Sequence, residues 1–301
     1  MSENQVSRRI FIMSGAAVAM AGCANLQKTH TAGAGRRATP SLKRLGYKSP
    51  NEKLNMAAIG AGGKGGGDIE QCAGENVIAL CDADWEKAAG SFRKFPNARK
   101  YKDFRDMLDK EPTIDACTIS TPDHTHAVAA MACIKRGIHV YVQKPLTHTV
   151  YEARMLTEAA REYKVSTQMG NQGHSGDGVR EMCEMIWDGA IGDVKEVHAW
   201  TNRPIWPQGI LEAWKDGVPK PLPEEPVPDT MDWDAWIGPA PYRPYNSAYA
   251  PFNWRGWWDF GCGALGDMAC HLLDPANWAL RLTAPISIEC VKQEQNNEQT
   301  F

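Results

Sequence analysis

The chain has 301 residues, of which 43% are hydrophobic and 23% charged, a composition typical of a globular protein. This length predicts two domains. The formal net charge of -3 gives no electrostatic reason to expect nucleic acid or an anionic surface as a partner, so a small molecule is the better candidate.

Residues 1–23 are predicted to be an export signal and are set aside before the fold is considered. The run Ser7–Phe11 resembles the twin-arginine signal, and the apolar stretch Ile10–Ala21 is too short to span a bilayer comfortably. It leads to Cys23 in a sequence that resembles a lipoprotein cleavage box, while signal peptidase cleavage after Ala19–Ala21 is the alternative. We therefore expect the twin-arginine export machinery as a partner, a periplasmic or otherwise exported location, and a lipid anchor if Cys23 is modified.

Residues 24–51 lack apolar periodicity and predict a flexible tether. From Leu54 onward, predicted strands and helices alternate, which indicates an α/β fold with a parallel, doubly wound sheet. The strands are predicted at Leu54–Gly60, Val77–Asp82, Arg99–Tyr101, Ile114–Ser120, His139–Val142 and Val165–Met169. The helices are predicted at Trp85–Phe95, around Phe104–Leu108, after the fourth strand with Val128, Met131, Ala132 and Ile134 on its inner face, and at Val150–Tyr163.

A glycine cluster follows the first predicted strand. Gly60, Gly62 and Gly65 have the G-x-G-x-x-G spacing of a dinucleotide-binding turn, although neighbouring glycines leave its register open. Such glycines allow a tight turn, close approach of the backbone to a pyrophosphate, and close packing of the next helix. Asp82 ends the second strand about twenty residues later, where an acid binds the adenosine ribose hydroxyls. This arrangement predicts a Rossmann domain over residues 52–170 that binds NAD, with NADP as the alternative cofactor and a turn role as the alternative for Asp82.

Ligands of such sheets bind beyond the carboxyl ends of the strands. Ser120, Thr121 and Pro122 follow the fourth strand and are predicted to border the cofactor groove. His126 is a predicted cofactor contact, with helix capping or packing as the alternative. Lys144 follows the fifth strand, next to a proline that restricts its loop.

Five segments together resemble the Gfo/Idh/MocA oxidoreductase family, named for glucose-fructose oxidoreductase and inositol dehydrogenase. They are AIGAGGKG, ALCDAD, STPDHTHA, VQKPL and GDMACH. The segment TQMGNQGHS further resembles an exported branch of that family. The resemblance implies NAD(P)-dependent hydride transfer to or from a hydroxyl of a sugar, polyol or glycoside. Gln143 departs from the usual Glu-Lys-Pro. The end at Phe301 also departs from the family pattern, so residues 171–301 are expected to be an incomplete α+β substrate domain.

The same resemblance implies that Lys144 is the active-site lysine, next to the cofactor, and that Asp267 and His271 are the acid–histidine pair. Their i, i+4 spacing in the apolar stretch Ala264–Leu280 predicts that both project from one helical face. We expect His271 to be the general base, Lys144 to polarise and orient the substrate, and Asp267 to contact the substrate or orient the imidazole. A helical salt bridge or cap is the alternative for Asp267 and His271.

Residues 202–260 contain seven tryptophans among many prolines. Aromatic faces stack on sugar rings, yet Trp also supplies large burial, so most of these rings are expected to be structural and one or two to reach the substrate. Arg255 and Tyr245 are candidates for polar contacts, and His174 is a weaker one. Cys81 and Cys117 fall in predicted strands and are expected to be buried free thiols, with no metal site.

Two other functions stay open at the level of sequence. Some exported relatives are glycosidases that oxidise C3, eliminate the substituent, add water and reduce again, with no net redox change. The second open function is that of a truncated family member that binds nucleotide without catalysis. It stays open because a sheet that ends after the predicted strand Ile286–Val291 would have an exposed edge. Homo-oligomers are frequent in the family and are expected here if the second domain is sufficiently complete.

Overall fold

Six parallel strands form one sheet in the computed structural model, which describes residues 52–203 and 222–292. The strands are β1 (Asn55–Ile59), β2 (Asn76–Cys81), β3 (Arg99–Tyr101), β4 (Ala116–Ile119), β5 (His139–Gln143) and β6 (Thr167–Gly170). Their order across the sheet is β3-β2-β1-β4-β5-β6, as in doubly wound dinucleotide-binding folds. The predicted α/β class is confirmed, and each of the six strands predicted between residues 54 and 169 overlaps an observed strand.

The helices of the described residues follow the strands and continue after the sheet ends. They are α1 (Lys64–Glu70), α2 (Trp85–Lys94), α3 (Phe104–Lys110), α4 (Asp123–Ile134), α5 (Val150–Tyr163), α6 (Asp177–Trp187), α7 (Trp233–Ile237), α8 (Gly263–Leu272) and α9 (Asp274–Ala279). Helix α5 has its predicted bounds because the Thr149 and Glu152 side chains each bond the other's backbone N–H in a capping box.

The inner face of α4 differs from the prediction. Val128 is 37% exposed, and Met131 and Ala132 are only partly buried, while Cys133 and Ile134 are fully buried. Helix α4 is apolar on nearly every side, so its periodicity does not select one face. The choice of Val128 for the core was therefore wrong, whereas that of Ile134 is confirmed, and Met131 and Ala132 pack against the core as predicted.

Both faces of the sheet are covered by apolar side chains. Along β1, Ala57 and Ile59 pack into one buried cluster, whereas Met56 and Ala58 pack into another. This follows from the alternation of side chains along a strand. Cys81 in β2 and Cys117 in β4 are buried, as predicted. The sheet thus has the two covered faces that a parallel sheet requires.

A second core lies in the Trp-rich part of the chain. We call it the aromatic cluster, and its rings are Trp233, Trp236, Tyr245, Tyr249, Trp254, Trp257 and Phe260. His124 joins it to α4, with Nδ1 3.2 Å from the Phe260 oxygen and Nε2 3.2 Å from the Trp236 oxygen. Burial lowers the pKa of His124 to about 4. The expectation that most tryptophans are structural holds for these four, Trp258 is exposed, and Trp206 and Trp214 lie outside the described residues.

The predicted strand Ile286–Val291 is wrong. Residues 284–292 have no regular structure, and Ile286, Ile288 and Val291 are almost fully exposed. The predicted helix Ala264–Leu280 is divided into α8 and α9, because Pro275 in the first turn of α9 has no N–H to continue the ladder of α8. Within the described part of residues 171–292, the chain forms helices and irregular segments and adds no strand to the sheet.

The export signal at residues 1–23 and the tether at residues 24–51 lie outside the described residues. From Leu54 onward, the described residues belong to one unit. Within that part of the chain, no helix has the length and apolar character needed to cross a membrane.

Candidate active site

A cleft of about 390 Å³ lies at the carboxyl ends of β1, β2, β4 and β5. Its sheet side is formed by the segments that follow these strands, from Gly60 to Lys144. The opposite side is formed by Met231, Ala235, Trp236, Pro251, Phe252, Trp254, Arg255 and Asp267. The cleft therefore lies where a doubly wound sheet binds its ligand.

The glycine turn after β1 is shaped by close backbone contacts. Gly60 has φ +78°, and a Cβ atom there would lie 2.7 Å from the Ser120 carbonyl group. A Cβ atom on Gly65 would lie 1.7 Å from the Gly60 oxygen, so only glycine lets α1 pack this closely against the turn. Gly60 and Gly62 line the cleft, whereas Gly65 packs against the Gly60 carbonyl group outside the cleft lining.

Asp82 is tied to the glycine turn. Its Oδ2 accepts the Gly62 N–H at 2.7 Å, and its Oδ1 accepts the Asp84 N–H at 2.9 Å. Burial raises the pKa of Asp82 to about 6, since desolvation outweighs these two bonds and the nearby Lys87. The side chain lines the cleft, which is compatible with the predicted ribose contact.

Lys144 and Asp267 form an ion pair across the cleft. Lys144 Nζ donates to Asp267 Oδ1 at 2.7 Å and to the Asp267 backbone oxygen at 2.9 Å. Arg255 Nε lies 3.7 Å from the same Oδ1, and its guanidinium stacks on Phe252 and Trp254, with ring centroids 4.3 and 4.2 Å away. One carboxylate therefore holds two cations beside the cleft, with Lys144 and Asp267 both largely buried.

His271 lies one turn after Asp267 on α8, and its ring is held by a different partner. Its Nδ1 is 3.2 Å from the Gln172 carbonyl oxygen. Because that oxygen can only accept, Nδ1 carries the proton, and in the neutral ring Nε2 carries the lone pair. The expected orientation of His271 by Asp267 is wrong, since Asp267 pairs with Lys144 and Gln172 holds the ring. Among the described residues, His271 is not part of the cleft lining.

Ser120, Thr121 and Pro122 line the cleft as predicted, but His126 does not. The His126 ring is 1% exposed, with Nδ1 2.8 Å from the Pro145 oxygen and Nε2 2.8 Å from the Thr121 oxygen. The buried His126 ring therefore connects the loop after β4 to the loop after β5. Packing, the alternative given for His126, replaces the predicted cofactor contact.

Asp68 on α1 is a polar centre that sequence reasoning missed. Its Oδ2 accepts hydrogen bonds from Ser120 Oγ and Gln143 Nε2, each at 2.8 Å, and Oδ1 pairs with Lys64. Gln143 stands where the family pattern has an acid, and here α1 supplies the carboxylate. In the sequence, the only signal for this carboxylate was the absence of an acid at position 143. That absence does not show which residue supplies a carboxylate instead.

The other candidates lie away from the cleft. Tyr245 is buried edge-on against Trp233 in the aromatic cluster. His174 pairs with Asp274 at 2.8 Å and stacks on Trp278 at 4.5 Å, as a structural histidine does. Asp123, which the sequence did not single out, is buried and lines the cleft beside Lys144.

Two family models match the sequence. Residues 54–171 match the oxidoreductase family's NAD-binding Rossmann fold, and residues 213–300 match its C-terminal alpha/beta domain. The chain belongs to the Gfo/Idh/MocA oxidoreductase family. The predicted NAD-binding domain is confirmed, and the family's cofactor fits the site because the glycine turn leaves a cradle that side chains would fill.

Two curated relatives of the chain are dehydrogenases. An inositol 2-dehydrogenase from Rubrobacter xylanophilus is 26% identical over 172 residues, which are 56% of this chain and 49% of that protein. A levoglucosan dehydrogenase from Pseudarthrobacter phenanthrenivorans is 26% identical over 200 residues, 66% of this chain and 41% of that protein. The chain thus spans about half the length of the curated relatives it matches.

A solved structure shows the same fold. The WlbA dehydrogenase from Bordetella pertussis, in complex with NADH and UDP-GlcNAcA, has a TM-score of 0.55 and 20% sequence identity. The match covers 76% of this chain and 60% of that chain. At this identity, the likeness establishes the fold alone.

Proposed function

We propose that the protein is an NAD-dependent oxidoreductase that transfers hydride between the cofactor and a CH–OH group of a sugar, polyol or glycoside. The observation that carries this proposal is that one cleft contains both the glycine turn and the Lys144–Asp267 ion pair. A nucleotide cradle and a charged hydrogen-bond donor are the two parts that such a reaction needs.

The residues have separate roles in this proposal. The glycine turn and Asp82 would hold the nucleotide, and the chemistry that bound NAD supplies is hydride acceptance. Lys144 donates a hydrogen bond to the reacting oxygen, and Asp267 holds the lysine side chain in place. We assign the proton acceptor to His271, whose Nε2 carries the lone pair when Nδ1 donates to Gln172.

The substrate class is supported by the relatives and by the walls of the cleft. The curated relatives named above are an inositol and a levoglucosan dehydrogenase, which places polyols and anhydrosugars first among the compounds to test. Trp236 and Trp254 of the aromatic cluster line the cleft. Trp233 stacks on Trp236 and Arg255 stacks on Trp254, so the groups that this wall offers to sugar hydroxyls are the polar ones of Arg255 and Asp267.

The activity is tested with the purified 301-residue chain, NAD or NADP, and a panel of inositols, levoglucosan and aldoses. Lys144→Met is expected to lower kcat by about 100-fold or more while changing the Kd for NADH little, because the lysine acts on the reacting oxygen. Lys195→Met is the matched control, since that lysine side chain is 81% exposed.

Formation of NADH that depends on substrate and Lys144 supports the proposal. Turnover of a glycoside without added NAD and without net NADH formation would replace it with the redox-neutral glycosidase. Nucleotide binding without turnover of any compound in the panel would contradict both enzyme proposals.

We further propose that the protein is exported by the twin-arginine machinery and anchored through a lipid on Cys23. The run Ser7–Phe11 and the position of Cys23 after an apolar stretch support this. Replacing Arg8 and Arg9 with Lys is expected to retain the chain in the cytoplasm, as fractionation would show. Cys23→Ala is expected to abolish labelling by a fatty-acid analogue, and continued labelling would contradict the anchor.

A further inference from the structure

Asp123 joins two helices that meet at the cleft. It is the first residue of α4 and is only 4% exposed, although it lines the cleft. Its Oδ2 accepts the backbone N–H of Cys262 at 3.1 Å. Cys262 immediately precedes α8, the helix that carries Asp267 and His271. A single carboxylate therefore connects the sheet side of the cleft to the helix that carries Asp267.

The surroundings of Asp123 favour a negative charge in several ways. The carboxylate lies at the N-termini of α4 and α8, where the helix dipoles are positive. Arg255 and Lys144 face it as cations. The thiol of Cys262, just before α8, and that of Cys270, on α8, also face it. Burial acts in the opposite direction and is the largest influence, so the pKa of Asp123 rises to about 7.

This position has an electrostatic consequence for the cleft. When Asp123 is ionised, two carboxylates, Asp123 and Asp267, balance Arg255 and Lys144. When Asp123 is protonated, Asp267 alone faces both cations. The number of uncompensated cations beside the reacting oxygen therefore depends on this one buried acid.

We propose that Asp123 is a positioning residue of this site: its carboxylate joins the start of α4 to the start of α8 and so fixes Asp267 relative to Lys144. The inference rests on the proposed dehydrogenase function for its kinetic consequence. The link between α4 and α8 is a property of the folded chain and is measurable without turnover.

The experiment compares Asp123→Asn and Asp123→Ala with Asp177→Asn. Asp177 is the matched control because it is also the first residue of its helix, α6, but its side chain is fully exposed. For each variant, kcat and KM are measured from pH 5.5 to 8.5. The Kd for NADH and the urea unfolding of the same protein are measured at the same pH values.

Asp123→Asn keeps the shape and an acceptor for Cys262 but loses the charge. We expect kcat to fall about tenfold and the Kd for NADH to stay within about twofold. In the unmodified protein, titration of Asp123 should change kcat near pH 7, and Asp123→Asn should lack that change. Asp123→Ala removes the acceptor as well, so kcat should fall further and KM should rise. Asp177→Asn should match the unmodified protein. An unchanged kcat and pH profile in Asp123→Asn would overturn the inference.

Stability gives a readout that does not need activity. The fold raises the pKa of Asp123 from 3.8 to about 7 and so favours the protonated form. The unfolded chain ionises near its ordinary pKa, so the free energy of unfolding should fall as the pH rises from about 4 to 7. That fall should be smaller in Asp123→Asn than in Asp177→Asn, because only Asp123 is buried. The link itself is tested by removing the acceptor for Cys262: Asp123→Ala should be less stable than Asp123→Asn, and equal stabilities would contradict the link.

These readouts separate the two proposals. If the unmodified protein and Asp177→Asn bind NADH but turn over no substrate, the proposed function fails. A lower stability of Asp123→Ala than of Asp123→Asn would still support the connection of α4 to α8. If turnover is present and Asp123→Asn loses NADH binding in parallel with kcat, Asp123 is a general structural residue and the positioning role is overturned.

Discussion

The sheet region, residues 54–170, and the C-terminal region, residues 171–203 and 222–292, bury their apolar side chains in different ways. In the sheet region, six strands pair with one another and helices cover both faces. In the C-terminal region, aromatic rings pack into one cluster, while Trp200, Ile286 and Ile288 are each at least 80% exposed. A parallel sheet completes its own hydrogen bonds, whereas an irregular region depends on a few large side chains.

The comparison explains the character of the cleft. Its nucleotide side is built from strand ends, which the sheet fixes in relation to one another. Its catalytic side depends on α8, which is positioned by a few specific contacts such as Lys144 with Asp267 and Asp123 with Cys262. We therefore expect nucleotide binding to tolerate changes that abolish turnover.

The largest effect is expected in the aromatic cluster. Trp257 is fully buried and its Nε1 donates to the Ala248 oxygen at 3.1 Å, so Trp257→Ala leaves both a cavity and an unpaired carbonyl. We expect a loss of about 3–5 kcal/mol in the free energy of unfolding, measured in urea. Trp200→Ala, at an 80% exposed site, should change it by less than about 0.5 kcal/mol. Equal effects would show that the cluster is not a core.

The next effect is expected at the glycine turn. In Gly65→Ala the new Cβ would lie 1.7 Å from the Gly60 oxygen, so α1 has to move. We expect about 1–3 kcal/mol of destabilisation and at least a tenfold weaker Kd for NADH by fluorescence titration. In Gly67→Ala, on the same helix, the Cβ meets nothing within 4 Å, and a gain of about 0.5–1 kcal/mol is expected. If Gly65→Ala binds NADH normally, the close packing of α1 is not required.

A smaller effect is expected from the protonation of Asp82. The pKa of Asp82 is about 6, so the carboxylate predominates above pH 6 and the neutral acid below it. If the carboxylate accepts ribose hydroxyls, NADH binding should weaken about tenfold between pH 7 and pH 5. Asp82→Asn should bind more weakly at pH 7 and show little dependence on pH. The same pH dependence in both proteins would remove Asp82 from the nucleotide site.

The smallest effect is expected at the exposed C-terminal segment. Ile288 is 87% exposed, so Ile288→Asp should change the free energy of unfolding by less than about 0.5 kcal/mol. A loss of several kcal/mol, or a change of oligomeric state in sedimentation, would show that this segment packs against something in solution. The contrast between the two regions would then be smaller than the structure indicates.

The sequence was sufficient for most of the sheet region because its signals are local. Strand β2 ends directly before Asp82 and β5 directly before Lys144, and α5 carries its own capping box. Helix α6 was missed, although its acidic first residue and apolar face are clear in the structure. Hydrophobic alternation over Ile286–Val291 predicts a strand only if a neighbouring strand is present to pair with it.

The candidate site was predictable only in part, for a related reason. Lys144 and Asp267 could be predicted because each lies in a short sequence motif, VQKPL and GDMACH respectively. The roles of Asp68 and Asp123 depend on partners 75 and 139 residues away, Gln143 and Cys262, which no local pattern reveals. His126 looked like a ligand contact because it follows a cleft-lining loop, and only its burial shows that it holds that loop.

The distance along the chain between Lys144 and Asp267 has a consequence for the order of assembly. Their contact closes a loop of 123 residues, whereas the bond from Gly62 to Asp82 closes one of 20 residues. The longer closure costs roughly 1.6 kcal/mol more chain entropy. We therefore expect the nucleotide cradle to form before the catalytic pair during folding, as pulse-labelled hydrogen exchange would show by earlier protection of β1 and β2 than of α8. An intermediate that binds NADH but has no competent substrate site is the expected result.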